Sequence, residues 1–413
     1  MERALLVTLK LKKGKESWSP EEKARELAEL AASSTAEVVA EMIVARDRPS
    51  TRLFIGKGKA EEIASLCMEK NISVVMFNND LTGSQQKNLE EIINVKTIDR
   101  TQLILDIFAR RAKSNEGKIQ VELAQLLYLM PRLGEEEGIA LSRLGGGIGT
   151  RGPGEQKLEV DRRRINDRIA KLKKDLKALS LQRATRRKQR TKFSILTIAI
   201  IGYTNSGKST FLNALTESNV YVQNKLFSTL DPTIRSFLLP NNQKALFIDT
   251  VGFLNELPHH LIESFKGTLE EVVNADVLLH LVDISHPKAK EMEDAVFTVL
   301  KELNVTDKPM ITALNKIDKL TENEIKRFER TFDNAVPISA LKKENFQALI
   351  DRIIIYLNNT VKTYQIILPQ SKASLISAIY KTGHVTKREY QGDQVHIEAQ
   401  LPVSFYEKIK KEL

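Results

Sequence analysis

The sequence predicts an α/β fold built around a doubly wound, mostly parallel sheet and flanked by smaller domains. Short apolar runs of strand length alternate with helical patterns between residues 193 and 361, as in parallel sheets with crossover helices. A second, smaller α/β pattern fills the first 100 residues. Between these regions, two long helical patterns surround a loop with six glycines among residues 145–154, which predicts a helical hairpin.

The length of 413 residues is too great for one compact core, so we expect several domains. The changes of pattern predict an N-terminal α/β domain at residues 1–100 and a basic helical hairpin with a glycine-rich tip at 101–192. They predict the doubly wound domain at 193–361 and a small α+β C-terminal domain at 362–413. Within the hairpin, Thr101–Arg132 and Glu155–Lys192 are expected to be helices that pack only against each other.

Basic residues are concentrated in the hairpin. Residues 101–190 contain 21 Lys and Arg against 11 Asp and Glu, an excess equal to the net charge of +10 of the whole chain. Such a stripe is typical of a polyanion-binding surface, although a solvated helix face would have the same composition. No run approaches the ~18 apolar residues that cross a bilayer, and the single cysteine, Cys67, excludes a disulfide framework. We therefore expect a cytoplasmic protein without a membrane partner. For the oligomeric state, which the sequence leaves open, a monomer is the default expectation.

A phosphate-binding motif lies at the start of the doubly wound domain. It follows the apolar run Ile195–Ile201 and opens a helical pattern, which is the context that this motif requires. Its backbone N–H groups would surround phosphates, with Lys208 contacting the β- and γ-phosphates and the Ser209 hydroxyl binding Mg²⁺. The motif comprises Gly202, Tyr203, Thr204, Asn205, Ser206, Gly207, Lys208 and Ser209.

Two further segments are expected to reach the γ-phosphate and the metal ion. Asp249 ends the next apolar strand, where it would hold Mg²⁺ through water, and the Gly252 amide would sense the γ-phosphate. In the preceding polar loop, Thr229 is the favoured metal ligand and Thr233 its competitor. Lys208, Thr229 and Gly252 form the predicted catalytic set. The nucleotide-binding residues of the two segments are Phe227, Ser228, Thr229, Leu230 and Asp231, and Asp249, Thr250, Val251 and Gly252.

The predicted base-recognition residues follow two later strands. The carboxylate of Asp318 can accept hydrogen bonds from N1–H and the 2-amino group of guanine, a pair of donors that adenine lacks. Asn315 and the stem of Lys316 would support the ring, and backbone amides after the following strand would approach guanine O6. The two motifs are Asn315, Lys316, Ile317 and Asp318, and Ser339, Ala340 and Leu341. Four motifs in the required order predict a P-loop GTPase domain that binds GTP and GDP and uses Mg²⁺ as its cofactor.

Two positions in these motifs bear on the rate of hydrolysis. Many GTPases place a water-orienting glutamine directly after the D-x-x-G motif, but this chain has Phe253 there, which cannot form a hydrogen bond. We expect slow intrinsic hydrolysis that a partner or another group accelerates. Asn205 resembles the asparagine of GTPases in which K⁺ bridges the phosphates, so K⁺ is a second candidate cofactor. An asparagine that only braces the loop is the alternative.

These motifs, together with segments outside the GTPase domain, are similar to the HflX family of translational GTPases. The similarity covers about residues 50–340 and leaves the last 50 residues without an assignment. Ser206 and Ser228 stand where alanine is commoner in the family, a change between small residues. The segments that carry the similarity are Tyr203–Thr210, Phe227–Thr233, Asp249–Phe253, Leu53–Lys59, Ile98–Thr101, Gln120–Leu126 and, most specifically, Leu144–Glu155.

The resemblance implies a ribosome-associated GTPase. Members of the family bind the 50S subunit and split stalled or idle 70S ribosomes into subunits, notably under heat or antibiotic stress. Their N-terminal and helical domains reach 23S rRNA near the peptidyl transferase centre, and their GTPase domain meets ribosomal proteins of the GTPase-activating region. Some members also bind ATP through the N-terminal region, so ATP is a further candidate ligand. A nucleotide-gated RNA-binding switch in rRNA maturation or RNA decay is the alternative function.

The composition of the hairpin suits a narrow cavity lined by RNA. Lys and Arg side chains along the helix would neutralise phosphates, and glycines at the tip would permit a close approach of the backbone. A tip whose arginines stay solvated is the alternative. The residues expected to contact rRNA are Arg143, Gly145, Gly146, Gly147 and Arg151.

Overall fold

The computed structural model describes most of the chain. The described residues are 2–11, 18–141, 153–192, 195–217, 226–227, 229–241, 243–256, 258, 261, 264–332, 334–358, 361–402, 405–406 and 409–410. The chain forms two compact units. The first comprises Met1–Leu179, Gln223–Asp231 and Glu256–Gly267, and the second comprises Ser180–Val222, Pro232–Asn255 and Thr268–Leu413.

The first unit contains a four-stranded parallel sheet with strand order β2-β1-β3-β4. Six consecutive residues of β1 are buried, as is typical of a central strand in a parallel sheet. Capping boxes begin two of the helices, pairing Ser19 with Glu22 and Thr82 with Gln85. The elements are β1 (Arg3–Leu11), α1 (Pro20–Ser33), β2 (Glu37–Arg46), α2 (Lys57–Glu69), β3 (Val74–Phe77), α3 (Gly83–Ile93), β4 (Lys96–Asp99) and α4 (Arg100–Arg111).

One face of this sheet packs on α2 and α3 to form an apolar core. Leu5 and Val7 of β1 meet Ile63 of α2 and Leu89 of α3, and all four side chains are fully buried. Cys67 lies in the same core with only 2% of its surface exposed. Burial raises the pKa of its thiol, so Cys67 contributes to this core as a small apolar residue.

The first arm of the hairpin begins later than predicted. The continuous helix expected over Thr101–Arg132 is wrong, because α4 ends at Arg111 and α5 spans Asn115–Leu141. Ala112 between them is extended, with φ −63° and ψ 106°. The Ser114 hydroxyl accepts a hydrogen bond from the Gly117 amide at 2.8 Å, so a local side-chain bond starts the new helix.

The second arm, α6 (Pro153–Lys192), packs on α5 through a short apolar cluster. Leu123 of α5 and Ile169 and Leu172 of α6 are its buried members. The expectation that the arms pack only against each other is wrong, because α5 also contacts α3 and α4. Arg132 of α5 donates hydrogen bonds to Leu81 O at 2.6 Å and to Asp99 Oδ2 at 2.9 Å. A charged side chain therefore fixes the base of the hairpin to the first sheet.

The second unit contains a six-stranded sheet with strand order β10-β9-β8-β5-β7-β6. Every pairing is parallel except β6 with β7, which is antiparallel and places β6 at one edge. The predicted doubly wound, mostly parallel fold is therefore confirmed. The elements are β5 (Leu196–Ile201), α7 (Lys208–Thr216), β6 (Thr233–Leu238), β7 (Lys244–Asp249), α8 (Lys266–Asn274), β8 (Val277–Asp283), α9 (Ala289–Glu302), β9 (Met310–Asn315), α10 (Glu322–Thr331), β10 (Val336–Pro337) and α11 (Phe346–Asn358).

The end of the chain forms a separate small α+β core. Three antiparallel strands in the order β11-β13-β12 pack on α12 through Ile366, Leu375 and Ile397, among other buried residues. The elements are β11 (Val361–Pro369), α12 (Ala373–Thr382), β12 (His384–Gln391) and β13 (Gln394–Pro402). Within the described residues, no helix combines the length and apolar character that a bilayer crossing requires.

Truncation of a central strand of the larger sheet should cost far more stability than the same truncation at its edge. Leu279 of β8 is completely buried, so Leu279→Ala should lower the free energy of unfolding by about 2–5 kcal/mol. Leu238 on β6 is 61% exposed, and Leu238→Ala should change it by less than about 0.5 kcal/mol. Urea denaturation followed by circular dichroism measures both. Equal losses in the two variants would contradict the assigned core.

Candidate functional site

The four predicted motifs follow strands of the larger sheet. The loop at 202–207 follows β5, Asp249 ends β7, Asn315 ends β9, and Ser339 comes shortly after β10. These strands are parallel, and the register pairs Ile200 with Asp249. Because the carboxyl ends of parallel strands meet at one edge, the motifs are brought to the same side of the sheet.

The loop at 202–207 has a backbone that its sequence explains. Gly202 has φ +152° and approaches the Leu281 carbonyl so closely that a Cβ atom would overlap it. Gly207 has φ +95°, and a Cβ atom there would overlap the side-chain amide of Asn315. Asn205 has φ +60°, a left-handed conformation that asparagine tolerates better than most residues. The backbone of Asn205 therefore contributes to the shape of the loop, and K⁺ binding by its side chain stays a prediction.

Lys208 at the start of α7 is folded into the loop. Its ammonium donates hydrogen bonds to Gly202 O at 3.1 Å and Tyr203 O at 2.7 Å, and only 6% of the residue is exposed. Burial lowers the pKa of Lys208 to about 8, Asp249 opposes this shift, and Lys316 adds to it. A partly desolvated cation at a helix N-terminus is suited to bind an anion.

The predicted magnesium ligands Ser209 and Asp249 are in direct contact. The Ser209 hydroxyl donates to Asp249 Oδ2 at 2.6 Å. Within the part of the chain that the structure describes, Thr204 Oγ1 and Ser206 Oγ are buried without a hydrogen-bond partner. Hydroxyl and carboxylate oxygens are ligands that Mg²⁺ prefers, so this cluster fits the ion together with phosphate oxygens. The residues after Asp249 stay close, since a Cβ atom on Gly252 would lie 3.0 Å from Lys208 Nζ.

One buried side chain joins the phosphate loop to the predicted base-recognition loops. Asn315 donates from Nδ2 to Ser206 O at 2.7 Å and accepts at Oδ1 from Ala340 N at 2.9 Å. The Ser339 hydroxyl donates to Asp318 Oδ1 at 2.6 Å. The structure therefore brings Ser206, Asn315, Asp318, Ser339 and Ala340 together, and leaves Leu341 74% exposed beside them.

Two residues near these loops were missed by the sequence analysis. Asp283 ends β8, and its Oδ2 lies 2.6 Å from Lys316 Nζ. His280 lies on the same strand, where burial, with smaller effects of Lys208 and Lys290, lowers its pKa to about 3 and keeps its imidazole neutral. Neither residue belongs to a recognisable motif, so only the pairing of β8 with β5 and β9 reveals them.

Phe253 is held away from solvent and bonded to the phosphate loop through its backbone. Its N–H donates to Gly202 O at 3.1 Å, and its carbonyl accepts from Thr204 N at 2.8 Å. The Tyr203 hydroxyl accepts a hydrogen bond from Asn255 N at 2.7 Å. Since the side chain of Phe253 is 1% exposed, this position serves as an apolar anchor.

The loop that contains Phe227 and Asp231 packs within the first unit. The Phe227 ring stacks edge-on against Phe108 of α4, with centroids 4.5 Å apart. The Asp231 carboxylate accepts hydrogen bonds from the amides of Lys113 and Ser114 at 2.9 and 2.8 Å and from the Ser114 hydroxyl. The nucleotide and metal roles of this loop, with Thr229 as ligand, stay predictions.

Several predicted site residues lie outside the described residues. They are Ser228 in the polar loop and the proposed rRNA contacts Arg143, Gly145, Gly146, Gly147 and Arg151. Their roles rest on the sequence alone.

Comparison with protein families gives four matches in succession along the chain. Residues 21–109 match "GTP-binding GTPase N-terminal" and residues 111–190 match "GTP-binding GTPase Middle Region". Residues 197–316 match "50S ribosome-binding GTPase", and residues 324–413 match "HflX C-terminal domain". The last match covers the C-terminal segment that the sequence motifs left without an assignment.

Similar proteins match over nearly the whole length. GTPase HflX of Lacrimispora saccharolytica is 45% identical over 381 residues, which are 92% of this chain and 90% of that protein. GTPase HflX of Escherichia coli is 38% identical over 418 residues, covering 100% of this chain and 96% of that protein. Among solved structures, the crystal structure of SsGBP in complex with GDP has a TM-score of 0.50 at 26% identity, covering 86% of this chain and 98% of that one.

Replacement of Lys208 by methionine should stabilise the nucleotide-free protein at neutral pH. The pKa of Lys208 is about 8 in the fold against the usual 10.5, so its charged form destabilises the fold fully below pH 8. The penalty shrinks as pH rises from 8 to 10.5. Lys208→Met should gain on the order of 1–3 kcal/mol at pH 7 and clearly less at pH 10. Urea denaturation at both pH values measures it, with the exposed Lys301→Met as control. A gain independent of pH would refute this account.

Replacement of Asp318 by asparagine should change the preferred base. Xanthine carries a carbonyl at C2 where guanine carries an amino group, so an asparagine amide can donate to it. We expect GTP affinity to fall on the order of 100-fold and xanthosine triphosphate to become the better ligand. Competition against a fluorescent GDP analogue measures both affinities. The exposed Asp307→Asn serves as control, and unchanged GTP affinity in Asp318→Asn would exclude the assigned role.

Proposed function

Because the chain belongs to the HflX family of GTPases, we propose that it binds the 50S subunit and splits stalled or idle 70S ribosomes. The observation that carries the proposal is the succession of four family matches, which includes a ribosome-binding GTPase domain at residues 197–316. The basic hairpin supports a ribosomal RNA partner, because its charge excess is confined to one segment of the chain.

The GTPase reaction uses the residues at the carboxyl edge of the larger sheet. We propose that Lys208 and the loop amides hold the phosphates while Asp318 reads the base. Ser209 and Asp249, with Thr229 from the polar loop, would hold Mg²⁺, which neutralises charge on the phosphate oxygens when bound. The Gly252 amide would bind the γ-phosphate, since Gly252 lies so close to Thr204 and Lys208 that a Cβ atom there would meet both residues.

The anchoring of Phe253 explains why we propose slow intrinsic hydrolysis. Its side chain is buried and carries no group that orients water. A group supplied by the ribosome would then complete the site, and K⁺ beside Asn205 is a second source of positive charge. If hydrolysis depends on the ribosome in this way, the protein would hydrolyse little GTP while it is not bound to a ribosome.

The hairpin is proposed to contact rRNA near the peptidyl transferase centre. The described part of α6 carries exposed arginines at positions 162–164, and the tip adds Arg143 and Arg151. Each phosphate neutralised by such a side chain releases counterions and strengthens binding at low salt. The glycines of the tip would allow its backbone to approach RNA closely.

The function is tested by sedimentation of 70S ribosomes on sucrose gradients. With the protein and a non-hydrolysable GTP analogue, we expect free 30S and 50S peaks, with the protein on the 50S peak. With GDP in place of the analogue, we expect the 70S peak to stay intact, with no protein on a 50S peak. Intact 70S ribosomes without bound protein would overturn the proposal and favour the nucleotide-gated RNA-binding switch.

A pair of charge-reversal variants tests the proposed contact of the tip. Arg143→Glu with Arg151→Glu should weaken 50S binding at least about tenfold, because phosphate contacts become repulsions. GTP affinity should stay within twofold. The matched control reverses two exposed arginines of α10, Arg327 and Arg330, and should bind 50S normally. Normal 50S binding by the tip variant would exclude these two contacts.

A further inference from the structure

Asp283 occupies a position from which it can act on the base-recognition loop. It ends β8, the strand that lies between β5 and β9. In the register of the sheet it pairs with Asn315, the first residue of the N-K-x-D motif. The Ile284 amide donates to the Asn315 carbonyl at 3.2 Å and keeps the two strand ends together.

The two oxygens of the Asp283 carboxylate have separate partners. Oδ1 accepts hydrogen bonds from Ser285 N at 3.0 Å and from Ser285 Oγ at 2.7 Å. Oδ2 lies 2.6 Å from the ammonium of Lys316. The side chains of Asp283 and Lys316 are 16% and 18% exposed, so solvent screens this ion pair only weakly. Ser285 therefore fixes the carboxylate in the orientation that meets Lys316.

Lys316 is a residue that needs such a partner. Its backbone has φ +69° and ψ 33°, and a flexible four-carbon stem carries the charge. A second cation, Lys208, lies near enough for the two charges to repel each other. Without an anion beside it, the Lys316 ammonium would be free to turn toward solvent and withdraw the stem.

We infer that Asp283 is a positioning residue of the guanine-nucleotide site, holding the Lys316 ammonium so that the lysine stem forms one wall for the base. The inference rests on the base-recognition role proposed for Asn315–Asp318 and deepens it. Asp283 itself acts only through Lys316. Its loss should therefore loosen the bound nucleotide more than it slows hydrolysis of GTP that is already bound.

The variant Asp283→Asn separates the ion pair from the turn. An asparagine oxygen can still accept both bonds from Ser285, while its amide cannot pair with an ammonium. We expect the dissociation rate of a fluorescent GDP analogue and the KM for GTP to rise about tenfold, a typical effect of losing a charge-assisted hydrogen bond. The kcat should change less than twofold. A kcat that falls as much as KM rises would overturn the inference.

A double-mutant cycle shows whether the effect passes through Lys316. Lys316→Met keeps most of the stem without the charge, so it should also speed GDP dissociation about tenfold. In the Lys316→Met background, Asp283→Asn should have an effect below twofold. Independent, multiplicative effects would overturn the inference. If Asp283→Asn does not fold, Lys316→Arg and Lys316→Met carry the test, since only arginine can keep the ion pair, and equal dissociation rates would overturn it.

Two controls separate failure of this inference from failure of the proposed site. Asp276 lies just before the opposite end of β8, beside Lys308, and accepts a hydrogen bond from Thr197 N at 2.8 Å. Asp276→Asn should leave GDP dissociation unchanged. If Asp318→Asn weakens GTP binding while Asp283→Asn has no effect, only the inference about Asp283 is wrong. If Asp318→Asn also has no effect, the proposed base-recognition site is wrong and the inference falls with it.

Discussion

The amide of Asn315 is the interaction on which the geometry of the site depends. It is 2% exposed, and both of its ends are used, one by the carbonyl of Ser206 and the other by the amide of Ala340. Aspartate could not donate to Ser206, and serine could not reach both partners. Because Gly207 has no Cβ atom, the Asn315 side chain can occupy the space beside it. The loops that follow β5, β9 and β10 are thereby joined through one side chain.

Much of the fold could be predicted because its strands are apolar runs that end in motif residues. The apolar runs before Gly202 and Asn315 have the length of a strand, and a glycine ends the first and an asparagine the second. The predicted and observed strands therefore agree there. The edge strand β6 lacks this signal, since its residues alternate between exposed and half-buried positions. The break between α4 and α5 depends on Ser114, whose bonds to Gly117 and Asp231 involve one neighbour and one distant residue. The periodicity of the sequence cannot reveal a contact between residues as far apart in the chain as Ser114 and Asp231.

The site shows the same division between local and distant causes. The roles of Lys208 and Ser209 could be predicted because both residues belong to one short motif, Gly202–Ser209, with a fixed spacing. The role of Asp283 could not be predicted, because an aspartate at the end of an apolar strand is common. Its role depends on the contact with Lys316, at the end of a neighbouring strand. The sequence shows only that Phe253 lacks a side-chain group that could orient water. The structure shows that its backbone N–H and carbonyl bond the segment after Asp249 to the phosphate loop. Residues that act through partners distant in the sequence can be identified only once the fold is known.

The burial of the chain's only thiol makes the protein convenient for optical measurements. Cys67 is 2% exposed and its pKa is raised, so the thiolate that reacts with maleimide dyes is scarce at neutral pH. Two cysteines introduced at open positions, such as Leu181 on α6 and Tyr390 on β12, would outcompete it for the dyes. A donor and an acceptor fluorophore could then be attached without first removing a native residue from the core. Energy transfer between the two dyes would then report their distance in the full-length chain in real time while it binds a ribosome.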